Sequence, residues 1–136
     1  MKCAGQIFLF SICFFFSLSA FAEWGRWHQM HEITAGNNRI LLVEFRSYSK
    51  KGWNAQAQWR VTNTSEETLD CVGIGNKVYT LDNGQKISRS GEHCDKLHSG
   101  RSFTTVSDTL KKGVIVDVVL SSVKFTFNGE RAVVEL

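Results

Sequence analysis

Trp53 to Cys71 reads W-N-A-Q-A-Q-W-R-V-T-N-T-S-E-E-T-L-D-C. From Trp53 to Val61 the odd positions are Trp53, Ala55, Ala57, Trp59 and Val61, and the even positions are Asn54, Gln56, Gln58 and Arg60. Strict period-two alternation belongs to a strand with one face on a core and the other in water. Trp53 and Trp59 both fall in the inward register, so both are expected in the core. The polar turn Asn63-Thr64-Ser65-Glu66-Glu67 follows, and a second apolar run then carries Cys71.

Strands and turns continue on both sides of this stretch. Upstream, Gly25 to Ala35 reads as a first strand and Arg39 to Tyr48 as a second, with Leu41, Val43 and Phe45 on one face. Gly36-Asn37-Asn38 and Ser49-Lys50-Lys51-Gly52 are the turns around it. Downstream, Gly73 and Gly75 interrupt the run from Leu69 to Ile74, where glycine marks a bulge or a close approach of backbones. Lys77–Leu81 and Gln85–Ser88 flank Asp82-Asn83-Gly84, and Asn128-Gly129 joins Val123–Phe127 to Arg131–Leu136. Asn-Gly accepts positive φ at both central positions of a primed turn, so each is expected to be a tight hairpin. Arg101–Val106 and Val114–Leu120 supply further strands, and Ser107–Lys112 is the sole helical candidate, a turn or two long. Short strands with regular Gly and Asn turns predict an all-β, antiparallel sandwich, whose thick core would house Phe45, Trp53, Trp59 and Phe103.

The chain opens with a segment read as lying outside this fold. Met1–Ala22 carries one charge, Lys2, then the apolar run Ile7–Leu18 and the small-residue pattern Ala20-Phe21-Ala22. That is the form of a secretory signal peptide cleaved after Ala22. A retained anchor is the alternative, but the apolar run is shorter than the ~20 residues that span a bilayer. Cys13 lies inside the apolar run without the small residues of a lipoprotein site. The remaining domain, residues 23–136, keeps 15 of the 16 basic residues against 13 acidic, a net charge of +2. Its basic residues are scattered, which excludes a nucleic-acid-binding stripe. Cys71 and Cys94 are then the only cysteines, expected to form a structural disulfide in an exported protein. Closing that loop contributes on the order of 3 kcal/mol in the chain-entropy description.

Three short segments resemble the immunoglobulin-like domains of bacterial envelope proteins, in particular the FxLYD type. Val61–Leu69 resembles their strand-turn-strand, Tyr79-Thr80-Leu81-Asp82-Asn83-Gly84 their aromatic-Asp-x-Gly hairpin, and Leu97–Phe103 their L-x-x-G-x-x-F step into a strand. The chain departs from that pattern at Ser99, where the family has proline, and in its added cysteine pair. The resemblance implies an immunoglobulin-like sandwich acting as an accessory or binding module, with no family active site to carry over.

The residues themselves point the same way. Trp24, Arg26, Trp27 and His28 form an aromatic-basic cluster at the start of the domain, and Trp and Arg are enriched at binding hot spots. The commoner role for Trp24 and Trp27 in such a position is to cap an open end of the sandwich. The loop Arg89–Gly100 adds His93 and His98 as candidate binding residues. These readings lead to a non-catalytic, secreted module, periplasmic or extracellular, which binds a protein or glycan without cofactor or resident metal. The competing reading is a small metal-assisted or hydrolytic enzyme built on the His93–His98 loop, with Asp95 or Ser90 assisting. It lacks the converging ligand set of a metal site and the strained nucleophile turn of a hydrolase. His28 and His31, three apart on a regular strand, would point to opposite faces. Asn63-Thr64-Ser65 would also be a glycosylation acceptor in a eukaryotic secreted protein.

Overall fold

Ala55, Ala57, Trp59 and Val61 are all fully buried, while Gln56, Gln58 and Arg60 between them stay partly exposed. The alternation of the sequence is thus the pleat of a real strand. The structure, a computed structural model, describes residues 23–91 and 94–136; the leader reading and His93 lie outside the described residues. In chain order the strand segments are β1 (Glu23–Trp24), β2 (His28–Ala35), β3 (Asn38–Ser49), β4 (Asn54–Asn63), β5 (Leu69–Ile74) and β6 (Lys77–Leu81). They continue as β7 (Lys86–Arg89), β8 (Asp95–Leu97), β9 (Ser102–Thr104), β10 (Asp108–Lys112), β11 (Ile115–Leu120), β12 (Ser122–Phe127) and β13 (Glu130–Glu135). All pairings among them are antiparallel.

Many of these segments are pieces of longer strands cut by kinks and bulges. β11 pairs β6 and β12 pairs β5 in one common register. The ladder also continues across the gap, where Gly75 N–H donates to Ser122 O at 2.7 Å and Ser121 N–H to Asn76 O at 2.9 Å. β7 and β8 likewise run along β6 and β5. In the other layer β9 and β10 both lie along β4, and Thr105 spans the break between them. Its N–H donates to Trp59 O, and its hydroxyl accepts from Trp59 N–H. One layer is therefore β2 with β1, then β3, β4, and β9 with β10. The other is β13, β12 with β11, β5 with β6, and β8 with β7.

The inner faces of both layers share one core. Phe45 of β3 lies 5.0 Å from Trp59 of β4 and 6.2 Å from Tyr79 of β6, centroid to centroid, so the aromatic cluster spans the two layers. A buried polar chain runs through it. Trp59 Nε1–H donates to Tyr79 Oη, and the Tyr79 hydroxyl donates to Asp108 Oδ2, both at 2.8 Å. Lys77, only 5% exposed, brings its Nζ to 3.3 Å from the same carboxylate. Burial, with the Asp108 charge beside it, raises the Tyr79 pKa well above the phenol range, so the hydroxyl stays a donor. At the layer edge Arg89 Nη2 donates to Thr109 O at 2.9 Å, tying β7 to β10.

The disulfide Cys71–Cys94 is formed. Cys71 sits at a bulge in β5, with φ +49, where the register shifts on both flanks. Three expectations are corrected. Trp53 is 56% exposed, because Gly52 (φ +84) ends the preceding turn and the pleat begins only at Asn54; Lys50 Nζ lies over its ring instead. Ser107–Lys112 is not helical: Asp108–Lys112 is β10, since so short a segment cannot stabilise a helix nucleus and β4 offers it a ladder. At Asp82-Asn83-Gly84 only Gly84 has positive φ, and Gly84 N–H donates to Leu81 O. That is a three-residue turn closing on a left-handed glycine, whereas Asn128 and Gly129 both have positive φ and make the expected primed turn.

Candidate functional site

The outer face of the first layer gathers the aromatic and basic residues. β1 pairs with the end of β3, so that Trp24 stands opposite Tyr48, the rings 5.5 Å apart. Gly25 N–H donates to Ser47 O, and Trp27 follows over the sheet. In β3 and β4 the polar phase of the alternation places Arg46 opposite Gln58 and Glu44 opposite Arg60. The Arg46 guanidinium lies 4.7 Å from the Trp24 ring centroid and 4.4 Å from that of Trp27. The Arg60 guanidinium lies 4.5 Å from Trp27. Rings and guanidiniums thus form one ladder, Trp24–Arg46–Trp27–Arg60, of the cation–π type.

Its charges are unevenly balanced. Arg60 Nε pairs with Glu44 Oε1 at 2.8 Å. Arg46 donates Nε and Nη2 to Gln58 Oε1, at 2.9 and 2.6 Å, and that acceptor is neutral. Among the described residues no carboxylate pairs with Arg46. Desolvation and then the neighbouring Arg60 charge lower the Arg46 pKa, though a guanidinium keeps its proton regardless. Arg26 stands exposed beside the ladder. The site is a half-buried aromatic surface carrying net positive charge.

The expected cluster is only partly assembled. Trp24 and Trp27 join the ladder, whereas His28 stands opposite Phe45, on the inner phase of β3. Burial, with a smaller contribution from Arg26, lowers the His28 pKa. A bulge between Gln29 and His31 inserts Met30, so His31 stands opposite Val43 and shares the inner phase with His28. The opposite-face expectation for these two histidines is corrected by that one extra residue. His31 is 0% exposed, neither ring nitrogen has a partner among the described residues, and burial lowers its pKa to about 4.

Arg46 and Arg60 were not among the candidates drawn from the sequence. Each reads as an ordinary outward residue of an alternating strand, and only the β3–β4 register shows them converging on Trp27. At the other loop, His98 is exposed and its Nδ1 lies 3.1 Å from Thr68 Oγ1. No group of three metal-ligating side chains occurs among the described residues. Asn63 is fully buried. Its Nδ2 donates to Glu67 O and Leu97 O, and its Oδ1 accepts from the Ser65 amide and hydroxyl. Both amide hydrogens are used internally, so a glycan on Nδ2 has no exit from the folded domain.

No family model matches the sequence, and no curated protein matches it. Among solved structures, a Northeast Structural Genomics Consortium target, SoR45, aligns with 7% identity and a TM-score of 0.40, covering 86% of this chain and 83% of its own.

Proposed function

We propose that this protein is an exported, non-catalytic binding module whose contact surface is the tryptophan–arginine ladder. The observation that carries it is the Arg46 guanidinium, without a carboxylate partner among the described residues, held between two partly exposed tryptophans on a sheet face. Such a surface recognises a partner presenting carboxylate, sulfate or phosphate groups, on another exported protein or on a glycan. Aromatic rings add contact area at small entropic cost, while the ladder holds Arg46 ready to bind. Export rests on the signal-like Met1–Ala22 and on the disulfide, which fits an oxidising compartment, periplasmic or extracellular. The two-layer architecture supports the immunoglobulin-like reading at the level of the layers alone. In strand order the chain differs: β2, β3 and β4 are sheet neighbours, whereas immunoglobulin domains place their second and third strands in opposite sheets.

The test is affinity capture from the envelope fraction of the producing cell with the wild-type protein and with Arg46→Ala and Trp27→Ala. A stoichiometric partner should be retained by wild type and its affinity reduced about tenfold or more in each variant, as for a hot-spot residue. A partner held equally well by all three proteins places the contact elsewhere.

A further inference from the structure

β13 is the longest edge strand, among the described residues, whose pairing carries no register shift. β2 carries two register shifts, β9 and β10 are separated by a break, and β7 and β8 are likewise separated. β13 pairs with β12 residue for residue from Glu130 to Glu135 without a shift. Exposed edges are usually protected by proline, lysine or a bulge. β13 has no proline, lysine or bulge, and its charges, Glu130, Arg131 and Glu135, are of mixed sign and so can pair across a strand interface.

The direction of its free backbone groups follows from the ladder. Leu136 N–H donates to Ser121 O, and backbone groups alternate along an antiparallel strand. Residues 130, 132 and 134 therefore turn their amides and carbonyls toward β12. Arg131, Val133 and Glu135 turn theirs outward, to an edge beyond which no described strand lies. The same three residues present exposed side chains, Val133 at 54%, while Ala132, Val134 and Leu136 pack partly against the core.

We infer that β13 pairs with β13 of a second copy of this chain, antiparallel about a two-fold axis through Val133. That register brings Val133 opposite Val133, and Arg131 opposite Glu135 of the second copy at both ends. Only the outward residues meet, so about six ladder hydrogen bonds form without disturbing β12. The exposed face then carries a valine pair flanked by two ion pairs, a self-complementary pattern suited to an isologous dimer. A shift by two residues would lose this match, setting Val133 opposite Arg131 or Glu135. Strand addition at a free edge is an established mode of association. Here the charges select the chain's own copy as the strand.

The protein, expressed with its own leader, should sediment as a dimer in a concentration-dependent manner. Arg131→Glu sets like charges opposite at both ends and should weaken dimerisation at least about tenfold. The double variant Arg131→Glu with Glu135→Arg should restore it. Val133→Pro deletes an outward N–H that β12 does not use, so it should give a folded monomer with an unchanged β-sheet circular dichroism spectrum. Slow amide exchange at Arg131, Val133 and Glu135 in the dimer alone would mark the interface. A wild-type protein that stays monomeric up to about 1 mM overturns the inference, as does a dimer indifferent to charge reversal. Protection of these amides only on adding a different protein would overturn it too, assigning the edge to a foreign strand.

Discussion

His31 shows how much one inserted residue can decide. The bulge at Met30 drives its imidazole into the core, where neither ring nitrogen is satisfied among the described residues. Its folded pKa, about 4, lies below the ordinary 6.5, so the unfolded chain binds the extra proton first. Stability is unaffected by this group above pH 6.5, falls as pH drops toward 4, and levels off below that. The total is about 3 kcal/mol, from a lowering of roughly 2.5 pK units. Urea unfolding at pH 7 and pH 4.5 should show this loss in the wild type and much less of it in His31→Leu; equal slopes would place the acid sensitivity in other groups. Trp53 and Trp59 make the complementary point. Identical in phase, they differ because Trp59 lies within the ladder of β4 and Trp53 lies one residue before it.

At the scale of the strands, the kink at Gly75–Asn76 organises the second layer. It lets β5–β6 and β11–β12 bend together without losing register, and the segment that follows β7 crosses it at Gly91. A Cβ on Gly91 would lie 2.0 Å from Ile74 O and 2.2 Å from Gly75 O, backbone atoms that cannot swing aside. Gly91→Ala should therefore destabilise the fold by about 2–3 kcal/mol, as overpacking does, seen as a lower urea midpoint with an unchanged m value. A midpoint equal to the wild type's would mean that this crossing is looser than the geometry shows. The close approach at Gly75 was legible in the sequence, since a glycine interrupting an apolar strand has few other uses. The crossing at Gly91 was not, because a glycine in a polar loop reads as an ordinary turn. The two Asn-Gly pairs mark the same boundary: the dipeptide announces a hairpin, but the pairing of the flanking strands selects the turn type.

At the scale of the whole molecule, the Trp59–Tyr79–Asp108–Lys77 chain is a buried polar link between the layers. Lys77 is nearly inaccessible, so removing its carboxylate leaves a buried charge unpaired. Asp108→Ala should lose about 3 kcal/mol in chemical denaturation, and adding Lys77→Met should recover most of it. A loss under about 1 kcal/mol would show the pair to be solvated and nearly neutral for stability. The sequence by itself determined the antiparallel all-β class, most of the turns, the disulfide pair and the inward phase of β4. These follow from local periodicity, turn chemistry and a count of cysteines. Only the tertiary structure decided which polar residues meet. Arg46 and Arg60 converge on Trp27, Asp108 reaches Lys77 and Tyr79, and Asn63 closes on Leu97, through cross-strand register and packing between layers. A register shift of one residue reverses every face; the β3–β4 register is held by turn length and by burial of both apolar phases together, which no single stretch of the sequence shows.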